Sequence, residues 1–222
     1  KIIILSITGI LIAINWTGFI YSVSIKQVQD ASLGYFLTPM ISVIFGFFFL
    51  NEKLNTNKVI SVMLMFIASL IIVLSQGNFP VISILIGTTW AVYGLLRKQI
   101  KVSPATGLLY ESGLITIFAL PYLIYLSFID IGYISITFNF TTIMLILTGA
   151  VTIFPLFFFN LGLKFIPLGL AGVLFYIAPS FHFITSLFVL NEYIECEKMI
   201  AFILIWIGVA IFIYDVIKKK IT

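Results

Sequence analysis

Charge is what this sequence has least of. Only 9% of its residues are charged and 62% are hydrophobic, against roughly 25% charged in soluble domains. That balance excludes a water-facing globule and leaves the lipid bilayer as the solvent and first partner of the chain. Cys196 is the single cysteine, which excludes an internal disulfide and a cysteine-cluster metal site. His182 is the single histidine, and one histidine cannot make a metal site. No cofactor is expected. No Walker-type loop occurs, so ATP is not expected to drive the protein directly. No cleavable signal with a small-residue cleavage site is visible, and residue 1 is Lys, not Met. The net charge of +4 lies in short loops, where membrane topology explains it better than nucleic acid does.

Apolar runs fill the rest. A spanning helix needs about 20 mostly apolar residues, and eight segments of this chain qualify: Ile2–Ile25, Ala31–Leu50, Lys58–Gln76, Pro80–Arg97, Pro104–Ile129, Thr141–Lys164, Leu168–Leu190 and Lys198–Ile217. Between them lie short breaks with turn chemistry, among them Asn55-Thr56-Asn57, Gln76-Gly77-Asn78, Asp130-Ile131-Gly132 and Glu195-Cys196-Glu197. The fold class expected is an all-α polytopic membrane protein with eight transmembrane helices.

The chain also repeats itself. Ala31 to Glu52 reappears from Ala171 to Glu192, and the register extends without a gap from Gln29–Gln76 to Gly169–Val216. Identical positions include Pro39 and Pro179, Leu50-Asn51-Glu52 and Leu190-Asn191-Glu192, and Lys58 and Lys198. Apolar composition alone does not readily align proline with proline and Asn-Glu with Asn-Glu, so the pattern reads as an internal duplication, a major clue to transporter architecture.

The basic residues set the orientation. With Arg97, Lys98 and Lys101 in the cytoplasm, the inside also holds Lys1, Lys53, Lys58, Lys164, Lys218, Lys219 and Lys220, while the outside holds only Lys26 and Lys198. Both termini come out cytoplasmic, and the second copy runs opposite to the first. The repeats are thus expected to be inverted. Residues 1–77 would hold the last three helices of a first repeat, and 78–222 a complete five-helix second repeat. Helices equivalent to the fourth and fifth would precede residue 1, so the chain is expected to lack the first two helices of a 5+5 ten-helix carrier, by truncation, gene splitting or decay.

Several stretches resemble the drug/metabolite transporter superfamily, in its EamA branch and particularly its RarD-type members. They are Asn15-Trp16, Ala31-Ser-Leu-Gly-Tyr-Phe36 with Pro39, Leu50-Asn-Glu52, Tyr93-Gly-Leu-Leu-Arg-Lys98, Thr106-Gly-Leu with Glu111, and Tyr176-Ile-Ala-Pro179. The resemblance covers the whole chain. It implies a ten-helix carrier of two inverted five-helix repeats in a bacterial inner membrane, and so a secondary transporter of a small metabolite or drug-like solute.

Ionisable and polar groups inside the membrane are the site candidates. Glu111 lies seven residues into its helix, roughly 10 Å from the end. It can exchange a proton with a coupled solute, or simply pair with Arg97, Lys98 or Lys101. Gly107, one turn earlier, would let another helix approach. His182 can switch charge near neutral pH or hydrogen-bond to a neighbouring helix. Asn15 can bind a polar solute group or join two helices, and Trp16 can stack on a solute or close a pocket. Pro39 and Pro179 each free a carbonyl, on Tyr35 and Phe175. Broken helices at equivalent points are expected at a central site, with Tyr35 and Tyr176 lining the cavity. Glu52 and Glu192 are expected to be solvated turn carboxylates, and Arg97-Lys98 a topology anchor. An intramembrane enzyme would need clustered His, Asp, Glu, Ser or Cys at one depth, which the sequence does not offer. The remaining alternative is a transporter fragment without activity of its own.

Overall fold

The computed structural model describes residues 1–25, 28–76, 81–128, 140–188 and 196–221. The described residues outside short turns are all helical: α1 (Ile2–Ser24), α2 (Val28–Leu50), α3 (Thr56–Gln76), α4 (Val81–Gln99), α5 (Pro104–Phe128), α6 (Phe140–Gly162), α7 (Leu168–Leu174), α8 (Ile177–Phe188) and α9 (Cys196–Ile221). Five of them, α1, α3, α5, α6 and α9, are long and apolar enough to cross a membrane. Gly34–Leu50 and Leu168–Phe181 add shorter apolar stretches. The outer surface is aliphatic and aromatic, with Phe48, Leu109, Phe118 and Phe154 exposed. A water-soluble monomer rarely shows such a surface, whereas lipid tails match it.

Local chemistry explains the helix starts. Asn55 accepts the Lys58 N–H at 3.1 Å, a side-chain cap that starts α3 at Thr56, two residues before the expected Lys58. Ser103 accepts the Thr106 N–H at 3.0 Å, and Pro104 occupies the first position of α5, where its missing N–H costs nothing. Cys196 and Glu197, expected in the turn Glu195-Cys196-Glu197, belong to α9, and Glu195 lies outside the described residues. The turn candidates around Gly77, Gly132 and Glu192 lie outside the described residues.

The expected single helix Leu168–Leu190 is two helices. Pro179 has no N–H to give Phe175, and the chain tightens there: Phe175 and Tyr176 donate to Gly172 at 2.9 Å and Val173 at 3.1 Å, three residues back. Its counterpart Pro39 lies inside an uninterrupted α2. The two prolines therefore share a sequence context but not a backbone outcome.

At the centre, α2 packs on α4 along one side and on α7 along the other. Meanwhile α3 packs on α9, and α1 on α4 and α5. The α2–α7 crossing is backbone-close. A β-carbon at Gly172 would stand 2.6 Å from the Ser42 β-carbon and 3.2 Å from the Pro39 α-carbon. The main apolar core joins residues from both copies of the repeat: Phe36 with Tyr176, Met65 with Ile205, and Ile72 with Phe212. The Tyr176 hydroxyl donates to the Phe36 carbonyl at 2.8 Å, between positions 140 residues apart.

One end of the bundle collects the α2–α3, α4–α5 and α6–α7 connections and the end of α9. Lys98 reaches the carbonyls of Leu163 and Ile166, Asn55 donates to Asp215, and the Lys58 ammonium sits 5.2 Å from the Phe212 ring centre. Lys53, Lys58, Lys98, Lys101 and Lys164 all belong to this end.

The crossing generates a packing prediction. Gly172→Ala should destabilise the detergent-solubilised protein by about 1–3 kcal/mol through overpacking. Gly113→Ala, with nothing within 4 Å, should be neutral or slightly stabilising. Thermal unfolding followed by size-exclusion chromatography reads both.

Candidate functional site: a buried polar network in the membrane interior

Four helices bring their polar residues to one place. On α4, Tyr93 and Arg97 are one turn apart and share a face, as do Gly107 and Glu111 on α5. α1 contributes Thr8 and α6 contributes Asn160. Glu111 is 2% exposed and Arg97 7%, so these charges meet almost no solvent.

The Glu111 carboxylate is held on both oxygens. Oε1 accepts the Thr8 hydroxyl at 2.6 Å and lies 3.6 Å from Arg97 Nε. Oε2 accepts the Tyr93 hydroxyl at 3.3 Å. Arg97 Nε donates to Asn160 Oδ1 at 2.9 Å, and Nη2 reaches the Pro104 carbonyl at 3.4 Å. Asn160 closes the ring by donating to the Tyr93 hydroxyl at 2.7 Å and to the Leu156 carbonyl at 2.9 Å. The unit is formally neutral, the arrangement in which a buried charge pair is tolerated. Gly107 gives the room expected of it, and what enters from α4 is the Arg97 side chain: a β-carbon there would overlap the guanidinium.

Glu111 also faces a cavity of about 290 Å³ between α1, α5 and α6, walled mostly by apolar side chains that include Ile12, Trp16, Leu108 and Leu156. Behind Tyr93, the Trp90 ring lies 5.7 Å from Tyr93, 5.4 Å from Phe159 and 5.3 Å from Phe175. A polar network thus borders an aromatic wall and a space of small-molecule size. Among the described residues no group of His, Cys, Asp and Glu could hold a metal ion.

Of the candidates named from the sequence, Glu111 and Trp16 line this cavity together. Asn15 makes an interhelical bond, donating to the Ile86 carbonyl at 2.8 Å and the Thr89 hydroxyl at 2.9 Å. Tyr35 is half-buried with its ring 6.0 Å from Phe19. Pro39, Tyr176 and Pro179 are buried and belong to the α2–α7–α8 junction. His182 lies in α8, and its side chain is outside the described residues. Thr8, Tyr93 and Asn160 were missed. Asn160 had a signal, an amide in an otherwise apolar run. Arg97, expected both as a topology anchor and as one of three possible partners of Glu111, is buried, and of the three it is the one that pairs with Glu111, with Asn160 as its second partner. Glu52 was misread as a solvated turn carboxylate: it accepts the N–H groups of Leu168 at 2.6 Å and Gly169 at 3.1 Å.

A bundle of apolar helices around a desolvated polar centre defines a multi-pass membrane protein. A family model described as the EamA-like transporter family matches residues 1–74 and 79–214, and the chain belongs to that family. It is similar to the uncharacterized transporter YojE of Bacillus subtilis, at 33% identity over 99% of this chain and 73% of that protein. It is 34% identical to an uncharacterized transporter of Vibrio cholerae over 98% of this chain and 72% of that one. Protein RarD of Escherichia coli is 31% identical over 99% of this chain and 74% of its own. The chain is therefore a membrane transporter of the drug/metabolite type.

The network makes a sharp energetic prediction. Arg97→Met leaves Glu111 as a buried unpaired charge and should cost about 3–5 kcal/mol. Adding Glu111→Gln to Arg97→Met should recover most of that loss. A double-mutant cycle on thermal stability in detergent measures the coupling directly.

Proposed function

We propose that the protein is a secondary transporter that moves a small metabolite or drug-like solute across a bacterial inner membrane by alternating access. Residues 1–77 are the last three helices of one repeat and residues 78–222 a complete five-helix repeat, inverted relative to the first. The carrying observation is the meeting of equivalent residues, with the Tyr176 hydroxyl on the Phe36 carbonyl. A shift of 140 residues superimposes α1 on α6, α2 on α7–α8 and α3 on α9, and it is α2 with α7 and α3 with α9 that pack together. Two related halves in face-to-face contact suit a rocking exchange between outward and inward openings. The break in the family match at 75–78 agrees with a division there. The cationic end is cytoplasmic, with both termini on that side.

The cavity beside Glu111 is the solute pathway, with Trp16 and the α2–α7–α8 junction on its course. Glu111 carries the coupling proton. When it takes a proton, the Arg97 guanidinium loses its counter-charge and keeps only Asn160 and the Pro104 carbonyl, so the α4–α5–α6 contact loosens. Protonation thereby biases one packing of the helices over another.

A specific observation favours a second reading, in which these residues transport only when joined by a further helical pair. α1 is flanked by α4 and α5, whereas its counterpart α6 is exposed along most of its length. A hairpin equivalent to α4–α5 would cover α6 and enclose the pathway.

The test is Glu111→Gln, which keeps shape, removes the charge and turns one of the two acceptor oxygens into an amide donor. The variant leaves the buried Arg97 guanidinium without its counter-charge and should lose stability, so uptake is compared per folded protein; uptake into proteoliposomes should fall at least about tenfold or lose its pH dependence. Unchanged uptake with an unchanged pH profile would reduce Glu111 to a structural partner of Arg97.

A further inference from the structure

We propose that Glu52 and Lys98 form a latch that closes the cationic end of the carrier, and that opening at that end requires its release; the proposal rests on the alternating-access reading. The two side chains hold the two ends of one turn, between α6 and α7. The Glu52 carboxylate accepts the N–H groups of Leu168 at 2.6 Å and Gly169 at 3.1 Å, the unsatisfied donors at the start of α7. The Lys98 ammonium donates to the carbonyls of Leu163 at 2.9 Å and Ile166 at 2.6 Å, just past the end of α6. Negative charge meets the positive pole of one helix, and positive charge the negative pole of the other.

The loop that carries Glu52 is shaped for this contact. Asn51 adopts a left-handed backbone, φ 54°, which asparagine tolerates better than most residues. That turn sends Glu52 back under α2, where its N–H donates to the Gly46 carbonyl at 3.0 Å. Gly46 leaves the room: a β-carbon there would lie 2.8 Å from the Glu52 carboxyl carbon. A carboxylate that served only the solubility of a loop would need none of these features.

Immediately inside the latch lies an apolar plug of Leu95, Leu163, Leu168 and Ala171, all buried, with Phe45 and Ile166 packed against it. α7 then runs from the latch to the backbone break at Phe175–Tyr176. It is a short rigid lever with a charged grip at one end and a hinge at the other. The α2–α3 loop and α4 supply the grip, and α2 supplies the Phe36 carbonyl at the hinge. Releasing two charge-assisted hydrogen bonds at Glu52 frees the first turn of the lever, Leu168 and Gly169, while Val173 and Tyr176 stay in the core that joins α3 to α9.

The experiment reads water access at both ends with N-ethylmaleimide, which crosses membranes and needs no assumed orientation. In the whole protein carrying Cys196→Ser, one cysteine reports from the plug (Ala171→Cys) and another from the opposite end of α1 (Gly18→Cys, where a side chain has ordinary room). Glu52→Gln replaces a charged double acceptor by a neutral single one. The expected result is about a tenfold faster reaction at Ala171→Cys, equivalent to about 1.4 kcal/mol, and a slower reaction at Gly18→Cys. If Glu52→Gln does not fold, Lys98→Gln releases the other half of the latch and should give the same pair of changes. Unchanged rates in a folded variant would make Glu52 a static helix cap, and faster reaction at both ends would mean general loosening; either result overturns the latch. Pro39→Ala and Pro179→Ala with the same reporters separate the two ideas. Reciprocal shifts there without any response to Glu52→Gln sink the latch alone. No reciprocal shift in any variant sinks alternating access and the latch with it.

Discussion

The structure depends on the backbone-close crossing of α2 and α7. Inside a bilayer the hydrophobic effect does not drive helices together, so association relies on close packing and on hydrogen bonds within the protein. Gly172 brings α7 against Pro39 and Ser42. At the next turn Tyr176 donates to the Phe36 carbonyl. Everything else is arranged around that contact. α4 lies on the far side of α2, the α3–α9 pair covers its flank, and the plug of Leu95, Leu163, Leu168 and Ala171 fills the space towards the cationic end.

The same constraint decides where charge can go. Arg97 and Glu111 are nearly inaccessible, yet they are tolerated because Thr8, Tyr93, Asn160 and the Pro104 carbonyl complete a ring of hydrogen bonds about them. Near the cationic end Glu52 and Lys98 are tolerated because helix termini supply the opposite partial charges. A buried unit thus ties α4 to α1, α5 and α6, and a half-buried one ties the α2–α3 loop and α4 to the turn between α6 and α7. The first sits beside a cavity and the second beside a plug, two places that the proposed change of facing would rearrange.

Much of the fold was legible in the sequence, because hydropathy is a direct physical statement about what lipid tolerates. The apolar runs marked the helices to within a few residues, and Ser103-Pro104 and Asn55 marked starts through capping chemistry. The break at Phe175–Tyr176 was announced by Pro179. The same signal at Pro39 left α2 uninterrupted, so a proline withholds an N–H but does not alone decide whether the helix breaks; the Phe175 carbonyl, expected to be free, accepts the Ala178 N–H at 3.3 Å. The site was less legible. Glu111 stood out as a carboxyl in an apolar helix. Arg97, beside Lys98 and Lys101 at a helix end, could not be told from them in the sequence as the partner of Glu111. Its burial depends on Asn160, which is 63 residues away. Glu52 was hidden for the same reason, since its partners are backbone N–H groups more than 100 residues further on.

The central claim is that the two copies lie in the membrane in opposite senses. Thr56 and Cys196 are equivalent first residues of α3 and α9, and both are exposed, so a difference in labelling between them reports sidedness and not burial. The decisive measurement is reaction with a membrane-impermeant thiol reagent added outside intact cells. One protein carries Cys196 alone, and the other carries Thr56→Cys with Cys196→Ser. Cys196 should be labelled at once, and Thr56→Cys only after the membrane is opened. Equal labelling of the two in intact cells would contradict the inverted arrangement and the carrier mechanism built on it.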